Sequence, residues 1–258
     1  MTFRPAPSTT AILSALQEEQ QGLIDLLDKP GQTSHAGREF WHGDLHGQPV
    51  VLALSRIGKV AAATTATTLI ERFAVSRIVF TGVAGGIGHG VKVGDVVVAE
   101  DFVQHDMDAS PLFPRYEIPL YGQTRFNADA GLTALLLQAA ESAFRHINDG
   151  ESPWAFPDAK VHHGLMASGD RFVSGAQEAH QLQQALQVAG HPVLAVEMEG
   201  AAIAQVALDY GLPFAAVRTI SDRADDNAHV DFPVFVRDVA SYYARTVIGK
   251  FLELLPKR

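Results

Sequence analysis

The sequence predicts one α/β domain in three layers, with helices packed on both faces of a central sheet. Short apolar runs alternate with helical patterns from end to end, and no repeat, long linker or shift in composition interrupts them. With 258 residues, of which 47% are hydrophobic and 19% charged, the chain can bury one full core. We therefore expect residues 11–258 to form a single domain that follows a flexible arm, residues 1–10, which contains two prolines.

Each element is predicted from its local pattern. Strands are expected where short apolar runs end at glycine, proline or polar residues. They are residues 11–16, 40–45, 49–55, 77–82, 94–99, 161–168, 192–196 and 214–220. Helices are expected where apolar residues recur every three or four positions. They are residues 17–27, 59–73, 128–144, 175–188, 199–210 and 232–255. Gly211 and Pro213 mark the end of the fifth helix.

Three segments are predicted to be irregular. Residues 82–90 are rich in glycine and indicate a turn, while residues 106–127 contain three prolines and indicate an ordered loop. In the connection at residues 148–158 we expect Trp154 and Phe156 to pack on the body of the domain.

Composition excludes several classes of function. Because 29 Asp and Glu outnumber 20 Lys and Arg, the net charge is −9, and the broad basic surface that binds nucleic acid or anionic membranes is not expected. No apolar window approaches the roughly 20 residues of a membrane span. The lack of cysteine excludes disulfides, cysteine-bound zinc and a thiol nucleophile. A cytoplasmic protein that binds small molecules is the expectation.

Familiar motifs fail. The glycine cluster at residues 82–90 has neither the dinucleotide-binding spacing nor the phosphate-loop lysine, because Val91 stands in that lysine's place. A glycine-rich turn would still let a flat ligand approach the backbone. There is no Gly-x-Ser-x-Gly elbow of a serine hydrolase. His162 and His163 are expected on opposite sides of a strand, where they cannot chelate together, so no metal site is predicted.

Acidic residues follow three of the predicted strands. Glu18 and Glu19 follow the first, Glu197 and Glu199 the seventh, and Asp222 the last. Each alone is explained by a carboxylate at a helix N-terminus. Three such groups at one edge of one sheet would repel each other, so together they indicate a site, since ligands collect at the carboxyl ends of strands.

Three further residues have two interpretations. Met198 and Phe172, taken alone, are explained as core residues as well as by a ligand. Arg218 lies in an otherwise apolar strand, where a buried guanidinium needs an anion, and Glu199 is the expected partner.

Seven sequence blocks occur in the order in which one enzyme family carries them, over nearly the whole chain after Thr10. They are residues 14–19 (SALQEE), 57–63 (IGKVAAA), 81–86 (TGVAGG), 93–98 (VGDVVV), 168–172 (SGDRF), 196–204 (VEMEGAAIA) and 218–222 (RTISD). Through them the chain resembles the purine nucleoside phosphorylase and nucleosidase superfamily, most closely the 5′-methylthioadenosine/S-adenosylhomocysteine nucleosidases. The resemblance implies a central mixed sheet of the phosphorylase/hydrolase-like fold.

The resemblance also implies a reaction. It implies cofactor-free hydrolysis of the N-glycosidic bond of 5′-methylthioadenosine, S-adenosylhomocysteine or both, with release of adenine. Asp222 would donate a proton to N7 of adenine, Ser221 would hold Asp222, and Glu19 would act as the base toward the attacking water. Breaking this bond builds positive charge on the ribose and negative charge on the base, which these carboxyl groups oppose. We expect burial and nearby like charge to raise the pKa of Asp222.

The remaining roles concern binding. By the resemblance, Glu199 would bind the ribose hydroxyls, Met198 would lie against the sugar, and Phe172 would stack on adenine. Arg218 would orient Glu199 or the water. The other implied contacts come from the backbone of Ala84, Gly85 and Val173 and from the 5′-alkylthio pocket residues Ile57 and Phe232.

Hydrolysis is favoured over phosphorolysis. The superfamily's phosphorylases carry arginine in the first strand–helix loop and before the glycine cluster, whereas residues 17–20 read QEEQ and residues 80–83 read FTGV here. The chain departs from the family where Val83 replaces a hydroxyl residue, where Leu16 replaces methionine, and in the loop at residues 113–121. The loop around Phe113 would reach the site of a neighbouring subunit in a homodimer, as the resemblance implies.

Three alternatives stay open. The same fold could act on aminodeoxyfutalosine or another 6-amino nucleoside. The chain could be a non-catalytic nucleoside-binding or storage relative, although Glu19 and Asp222 argue against this. It could also be a phosphorylase, which a strict requirement for phosphate would reveal.

Overall fold

The computed structural model describes residues 8–149, 156, 158–224, 232 and 235–256. Thr9 and Thr10, which were assigned to the arm, are buried, and the first strand begins at Thr10. No described helix has both the length and the apolar character needed to cross a membrane.

The described strands form one mixed sheet, which confirms the predicted class. Their bounds are β1 Thr10–Ser14, β2 Asp28–His35, β3 Arg38–Leu45, β4 Gln48–Leu54, β5 Arg77–Gly86, β6 Val96–Gln104, β7 Arg125–Asn127, β8 Val161–Ser168, β9 Val193–Glu197 and β10 Phe214–Asp222. The order is β10-β6-β8-β9-β5-β1-β4-β3-β2, and β7 pairs with β6. Because β10 also pairs with β5, five of these strands close into a ring, which an open three-layer sheet would not show.

Helices cover the sheet on two sides. Their bounds are α1 Gln17–Ile24, α2 Lys59–Phe73, α3 Ala130–Asp149, α4 Ala176–Val188, α5 Gly200–Tyr210 and α6 Ser241–Leu254. Helices α2 and α5 pack together over one apolar core, while α1, α3 and α6 pack over a second core on the other side. The helix predicted at residues 232–255 is observed as a π-helical turn, Val236–Ala240, that leads into α6.

Several sequence predictions were wrong in detail. Strand β2 was missed because it is an edge strand with almost no apolar residues and a largely exposed surface. Strand β7 lies inside the segment predicted as a loop. The glycine cluster was predicted as a turn, but β5 continues through it to Gly86. Strand β6 runs beyond the apolar run at residues 96–99, because backbone pairing with β7 and β8 tolerates the acidic pair Glu100 and Asp101.

The connection after α3 behaves as predicted at the position that is described. The ring of Phe156 lies 6.2 Å from the ring of Phe235 and 6.3 Å from that of Tyr243, measured between centroids. Trp154 lies outside the described residues.

Candidate active site

One cavity of about 280 Å³ lies where β1, β5, β8, β9 and β10 end. All but two of the sequence-predicted site residues line it: Glu19, Ile57, Ala84, Gly85, Phe172, Val173, Met198, Glu199, Asp222 and Phe232. Arg218 and Ser221 are buried behind its wall. The wall also includes residues that received no binding role from the sequence: Ala15, Leu16, Val83, Arg171, Val196 and Glu197.

Glu19 is held by backbone donors from the loop between β1 and α1 and from strand β5. It lies in the first turn of α1, only 1% exposed, and its Oε2 accepts hydrogen bonds at 2.9 Å from the N–H groups of Ala15 and Leu16. Its Oε1 accepts one at 3.1 Å from Val83 of β5. Burial raises the pKa of Glu19, against the opposing effect of Arg218 and of these N–H groups. Glu19 is therefore a fixed carboxyl group with increased affinity for a proton. Its neighbour Glu18 is exposed and takes no part.

The first glycine of the cluster, Gly82, makes room for neighbouring side chains, a role that the sequence did not predict. A Cβ at Gly82 would lie 2.2 Å from Nη1 of Arg218 and 2.8 Å from Oε1 of Glu19. Gly82 lies opposite Arg218 in the β5–β10 register. Only glycine leaves room beside β5 for these two charged side chains.

Arg218 has a different main partner from the one expected. The side chain is 1% exposed, and its Nη2 lies 2.7 Å from Oε2 of Glu197 but 3.4 Å from Oε2 of Glu199. Its Nη1 donates to the carbonyl oxygen of Thr81 at 3.1 Å, and its guanidinium lies 3.7 Å from the ring centroid of Phe80. Glu199 is a partner of Arg218, as expected, but Glu197 at the end of β9 is the closer one.

Glu197 is counted in the sequence among the acidic residues that indicate a site, but it receives no role of its own there. Its Oε2 accepts hydrogen bonds from the N–H groups of Glu199 at 3.0 Å and Gly200 at 2.9 Å, and its Oε1 accepts from the hydroxyl of Ser168. A carboxylate at a helix N-terminus is readily explained as a cap, which Glu197 also is. The signal for its role is its spacing, two residues before Glu199, at the junction between β9 and α5.

Glu199 has fewer hydrogen-bond partners than Glu197. It is 4% exposed, and its Oε1 accepts a hydrogen bond at 2.9 Å from the N–H of Gly58, which precedes α2. Burial, reinforced by the charge of Glu197 and opposed by Arg218, raises the pKa of Glu199 to about 8. Around neutral pH Glu199 therefore carries a proton and can donate as well as accept a hydrogen bond.

This shift predicts a pH dependence of stability. Between pH 4.5, the ordinary pKa of Glu199, and about 8, the folded protein holds a proton that the unfolded chain has released, so the free energy of unfolding falls as pH rises through this window. Glutamine does not titrate, so Glu199→Gln should not show this fall. Relative to the wild type, its free energy of unfolding should rise by a few kcal/mol between about pH 5 and pH 9. Urea unfolding at about pH 5 and pH 9 measures this difference, and Glu253→Gln, at an exposed position, is the control. Parallel pH profiles for wild type and Glu199→Gln would contradict the assignment.

Asp222 ends β10 in a turn that holds both carboxyl oxygens. It is 2% exposed, its Oδ2 accepts from the hydroxyl of Ser221 at 2.8 Å, and its Oδ1 accepts from the N–H of Ala224 at 2.8 Å. A Cβ at Gly85 would lie 3.1 Å from Oδ1, so β5 passes close to this carboxyl group. Ser221 thus acts from behind the wall, through Asp222.

The rest of the cavity is apolar and partly open. Phe172 is 43% exposed and Ile57 58% exposed, so neither is a core residue. The rings of Phe172 and Phe232 meet edge to face with centroids 5.4 Å apart. Met198 is half-buried and lines the cavity, which sets aside its interpretation as a core methionine.

The lining is rich in carboxyl groups. Four carboxyl groups, those of Glu19, Glu197, Glu199 and Asp222, face one guanidinium, that of Arg171. Arg171 is itself paired with Glu178 at 2.8 Å and its side chain is 71% exposed. Among the described residues this lining suits a polarised sugar and a neutral nucleophile better than a phosphate dianion.

Comparison with known proteins identifies the family. Residues 9–253 match the model of the phosphorylase superfamily. The chain is 34% identical over 244 residues to the 5′-methylthioadenosine/S-adenosylhomocysteine nucleosidase of Actinobacillus succinogenes, covering 94% of this chain and 98% of that protein. It belongs to this nucleosidase family of the phosphorylase superfamily. The resemblance seen in the seven sequence blocks is confirmed, and the chain is an N-glycosyl hydrolase.

Solved structures of nucleosidases agree in fold. The Neisseria meningitidis 5′-methylthioadenosine/S-adenosylhomocysteine nucleosidase in complex with methylthio-immucillin-A matches with a TM-score of 0.83 and 33% identity, over 96% of this chain and 100% of that one. A futalosine hydrolase mutant of Helicobacter pylori matches with a TM-score of 0.82 and 30% identity, over 96% of this chain and 100% of that one.

Proposed function

We propose that this nucleosidase hydrolyses the N-glycosidic bond of 5′-methylthioadenosine and S-adenosylhomocysteine and releases adenine. The observation that carries the proposal is the meeting of Glu19, Glu199 and Asp222, from three distant stretches of chain, around one cavity with an apolar wall. The names of the relatives above support the choice of substrate.

Glu19 is the proposed general base. Water attacks C1′ of the ribose and gives a proton to Glu19, whose raised pKa strengthens it as a base. The three backbone N–H groups on Glu19 leave it little freedom to turn away from the water. The side chain of Val83, which replaces a family hydroxyl, lines the cavity without adding a polar contact of its own, so its backbone N–H is what this position supplies.

Asp222 is the proposed general acid. As the bond between C1′ and N9 breaks, its electron pair passes to adenine, which takes a proton at N7 from Asp222. Ser221 and the N–H of Ala224 fix the orientation of the carboxyl group. That the pKa of Asp222 is raised, as this role requires, stays a prediction from the sequence.

The sugar is the part of the substrate that gains positive charge. We assign its hydroxyls to Glu199, which near neutral pH both donates and accepts, and its face to Met198. In its ionised form Glu19 stabilises the oxocarbenium-like transition state, because the positive charge that it meets develops only there, while the neutral Glu199 contributes hydrogen bonds. Arg218 pairs most closely with Glu197, at 2.7 Å, and its charge also acts on Glu19 and Glu199, whose pKa values it lowers against the effect of burial.

The apolar wall is assigned to the base and the 5′ group. Phe172 would stack on adenine, which the backbone of Ala84, Gly85 and Val173 would border. Ile57 and Phe232 would receive the 5′-alkylthio group, and the exposure of Ile57 leaves this end of the cavity open for longer substituents.

The experiment is a screen of adenine release from several 5′-modified adenosines, with and without phosphate. We expect release from 5′-methylthioadenosine and S-adenosylhomocysteine at a rate that added phosphate does not change, with the free pentose as the second product. A strict phosphate requirement would assign phosphorolysis instead. No release by the purified protein would restore the non-catalytic binding or storage alternative.

Aminodeoxyfutalosine is the second candidate substrate. The similarity to the Helicobacter pylori futalosine hydrolase structure and the open end of the cavity at Ile57 favour it. Including this nucleoside in the same screen decides the order of preference: a kcat/KM higher for it than for 5′-methylthioadenosine would make it the principal substrate.

We also infer a homodimer, as the family resemblance implies. Three large apolar side chains, one in α2 and two in the segment between β6 and β7, are strongly exposed: Val60 at 79%, Leu112 at 84% and Leu120 at 93%. Burying them against a second copy would bring the loop around Phe113 toward the neighbouring site. Sedimentation that gives only the mass of one 27.7 kDa chain would overturn this inference. The cytoplasmic location stays a prediction.

A further inference from the structure

A polar cluster that does not line the cavity lies directly behind two of its walls. Lys59, the first residue of α2, places its Nζ 2.5 Å from Oδ1 of Asp106 and 3.1 Å from Oε1 of Gln104, just past the end of β6. The Lys59 side chain is 16% exposed and that of Asp106 31%. Burial alone would raise the pKa of Asp106, but the hydrogen bonds from Lys59 and from the N–H of Asp170 lower it below its usual value. The pair is therefore a charge-assisted contact between two elements.

Asp170 closes this contact into a ring. The N–H of Asp170 donates to Oδ2 of Asp106 at 2.9 Å, while Oδ1 of Asp170 accepts from the N–H of Lys59 at 2.7 Å. Each of the three residues thus contacts the other two. We call them the Lys59–Asp106–Asp170 cluster; it joins the start of α2, the end of β6 and the segment after β8.

Each end of the cluster is adjacent in the chain to a part of the cavity. Gly58, which precedes Lys59, donates its N–H to Oε1 of Glu199 at 2.9 Å. Its φ of 95° favours glycine, and a Cβ there would lie 3.1 Å from Oδ1 of Asp170. Phe172 and Val173 follow Asp170 by two and three residues and line the cavity. A shift of the cluster would therefore move the donor to Glu199 and the aromatic wall together.

We propose that Lys59, Asp106 and Asp170 are positioning residues for the nucleoside site. They hold the Gly58 N–H against Glu199 and set the place of the segment that carries Phe172, without touching the substrate. The kinetic part of this inference rests on the proposed function. A single ion pair that is still partly open to solvent adds little to the stability of a domain, so the expected consequence of losing this one is misplacement of binding groups rather than unfolding.

Kinetics of Lys59→Met and Asp170→Ala test the proposal. We expect KM for 5′-methylthioadenosine to rise about tenfold and kcat to change by less than about threefold, because Glu19 and Asp222 have their own supports. Asp170→Asn should have a KM close to that of the wild type, unlike Asp170→Ala, since its amide oxygen can accept a hydrogen bond from the backbone N–H of Lys59. Lys250→Met, which removes the lysine of an exposed pair with Glu253, is the matched control and should leave KM unchanged.

Coupling within the cluster gives a second kinetic readout. Asp106→Asn places an amide N–H toward either the Lys59 ammonium or the Asp170 N–H, so it should raise KM as Lys59→Met does. The variant that combines Lys59→Met with Asp106→Asn should have a KM no higher than that of the poorer single variant, because the residues act as a unit. Additive increases in KM, or a fall in kcat at unchanged KM, would overturn the positioning role.

A crystal structure of Lys59→Met separates this inference from the proposed function. We expect the distance from the Gly58 N to Oε1 of Glu199 to lengthen from 2.9 Å to beyond about 3.5 Å, where no hydrogen bond remains. An unchanged contact would overturn the proposal whatever the enzyme's substrate. Failure of the wild type to release adenine would contradict the proposed function and leave this structural test to decide the cluster.

Discussion

Asp222→Asn is expected to lower kcat for adenine release by about 10²- to 10⁴-fold, the loss typical for removal of a general acid. Asparagine matches the shape of Asp222 and can still accept the N–H of Ala224, so fold and nucleoside binding should persist. Its amide can donate a hydrogen bond to N7 of adenine but cannot transfer a proton. Adenine would therefore have to leave as an anion.

The measurement is single-turnover adenine release together with the Kd for a non-hydrolysable 5′-methylthioadenosine analogue. Asp44→Asn, the same change at an exposed position of β3, is the control and should match the wild type. A variant of Asp222 that keeps more than about one tenth of the wild-type rate would remove this residue from the role of acid.

Glu19→Gln is expected to lower kcat by about 10²- to 10⁴-fold, the range for loss of a general base. The amide cannot accept a proton from the attacking water. It also has only one acceptor oxygen for the donors that the carboxylate satisfies with two, so either the Val83 N–H or the Ala15 and Leu16 pair loses its partner. Nucleoside binding should be retained, because the ribose and adenine contacts belong to other residues.

Glu18→Gln is the matched control for this change. Glu18 is the adjacent residue of α1, exposed to solvent, and the substitution removes the same charge. We expect wild-type rates from it. Equal rates for the two variants, whether both normal or both reduced, would show that Glu19 does not act as the base and that any effect comes from the net charge of α1.

Most elements could be predicted because their signals are local. The strand at residues 161–168 and the helix at residues 59–73 coincide with β8 and α2, since an apolar run or a helical period is complete within each segment. Strand β2 could not be found in this way, because an edge strand is held by backbone pairing with β3 and needs few apolar side chains.

The glycine cluster shows a different limit. Its composition is typical of a turn, and nothing in residues 82–90 indicates that a strand continues to Gly86. The reason lies in the partner strand: β10 places Arg218 opposite Gly82, and Ile220 and Asp222 beside Ala84 and Gly85. The side chains of β10 therefore require small residues on β5. The two strands are far apart in the chain: the residues joined by the hydrogen bonds Arg218–Thr81 and Ser221–Ala84 are separated by 137 positions.

By itself the sequence determined the class of fold, the family and the set of carboxyl groups, because these depend on residue types and their local order. The tertiary structure alone decided that Arg218 pairs with Glu197, that Glu199 keeps a proton, and that Lys59, Asp106 and Asp170 meet behind the cavity. Ion pairing and pKa depend on distances of a few ångströms and on burial between segments that are far apart in the chain. Strand order and register set those distances, and no local pattern encodes them.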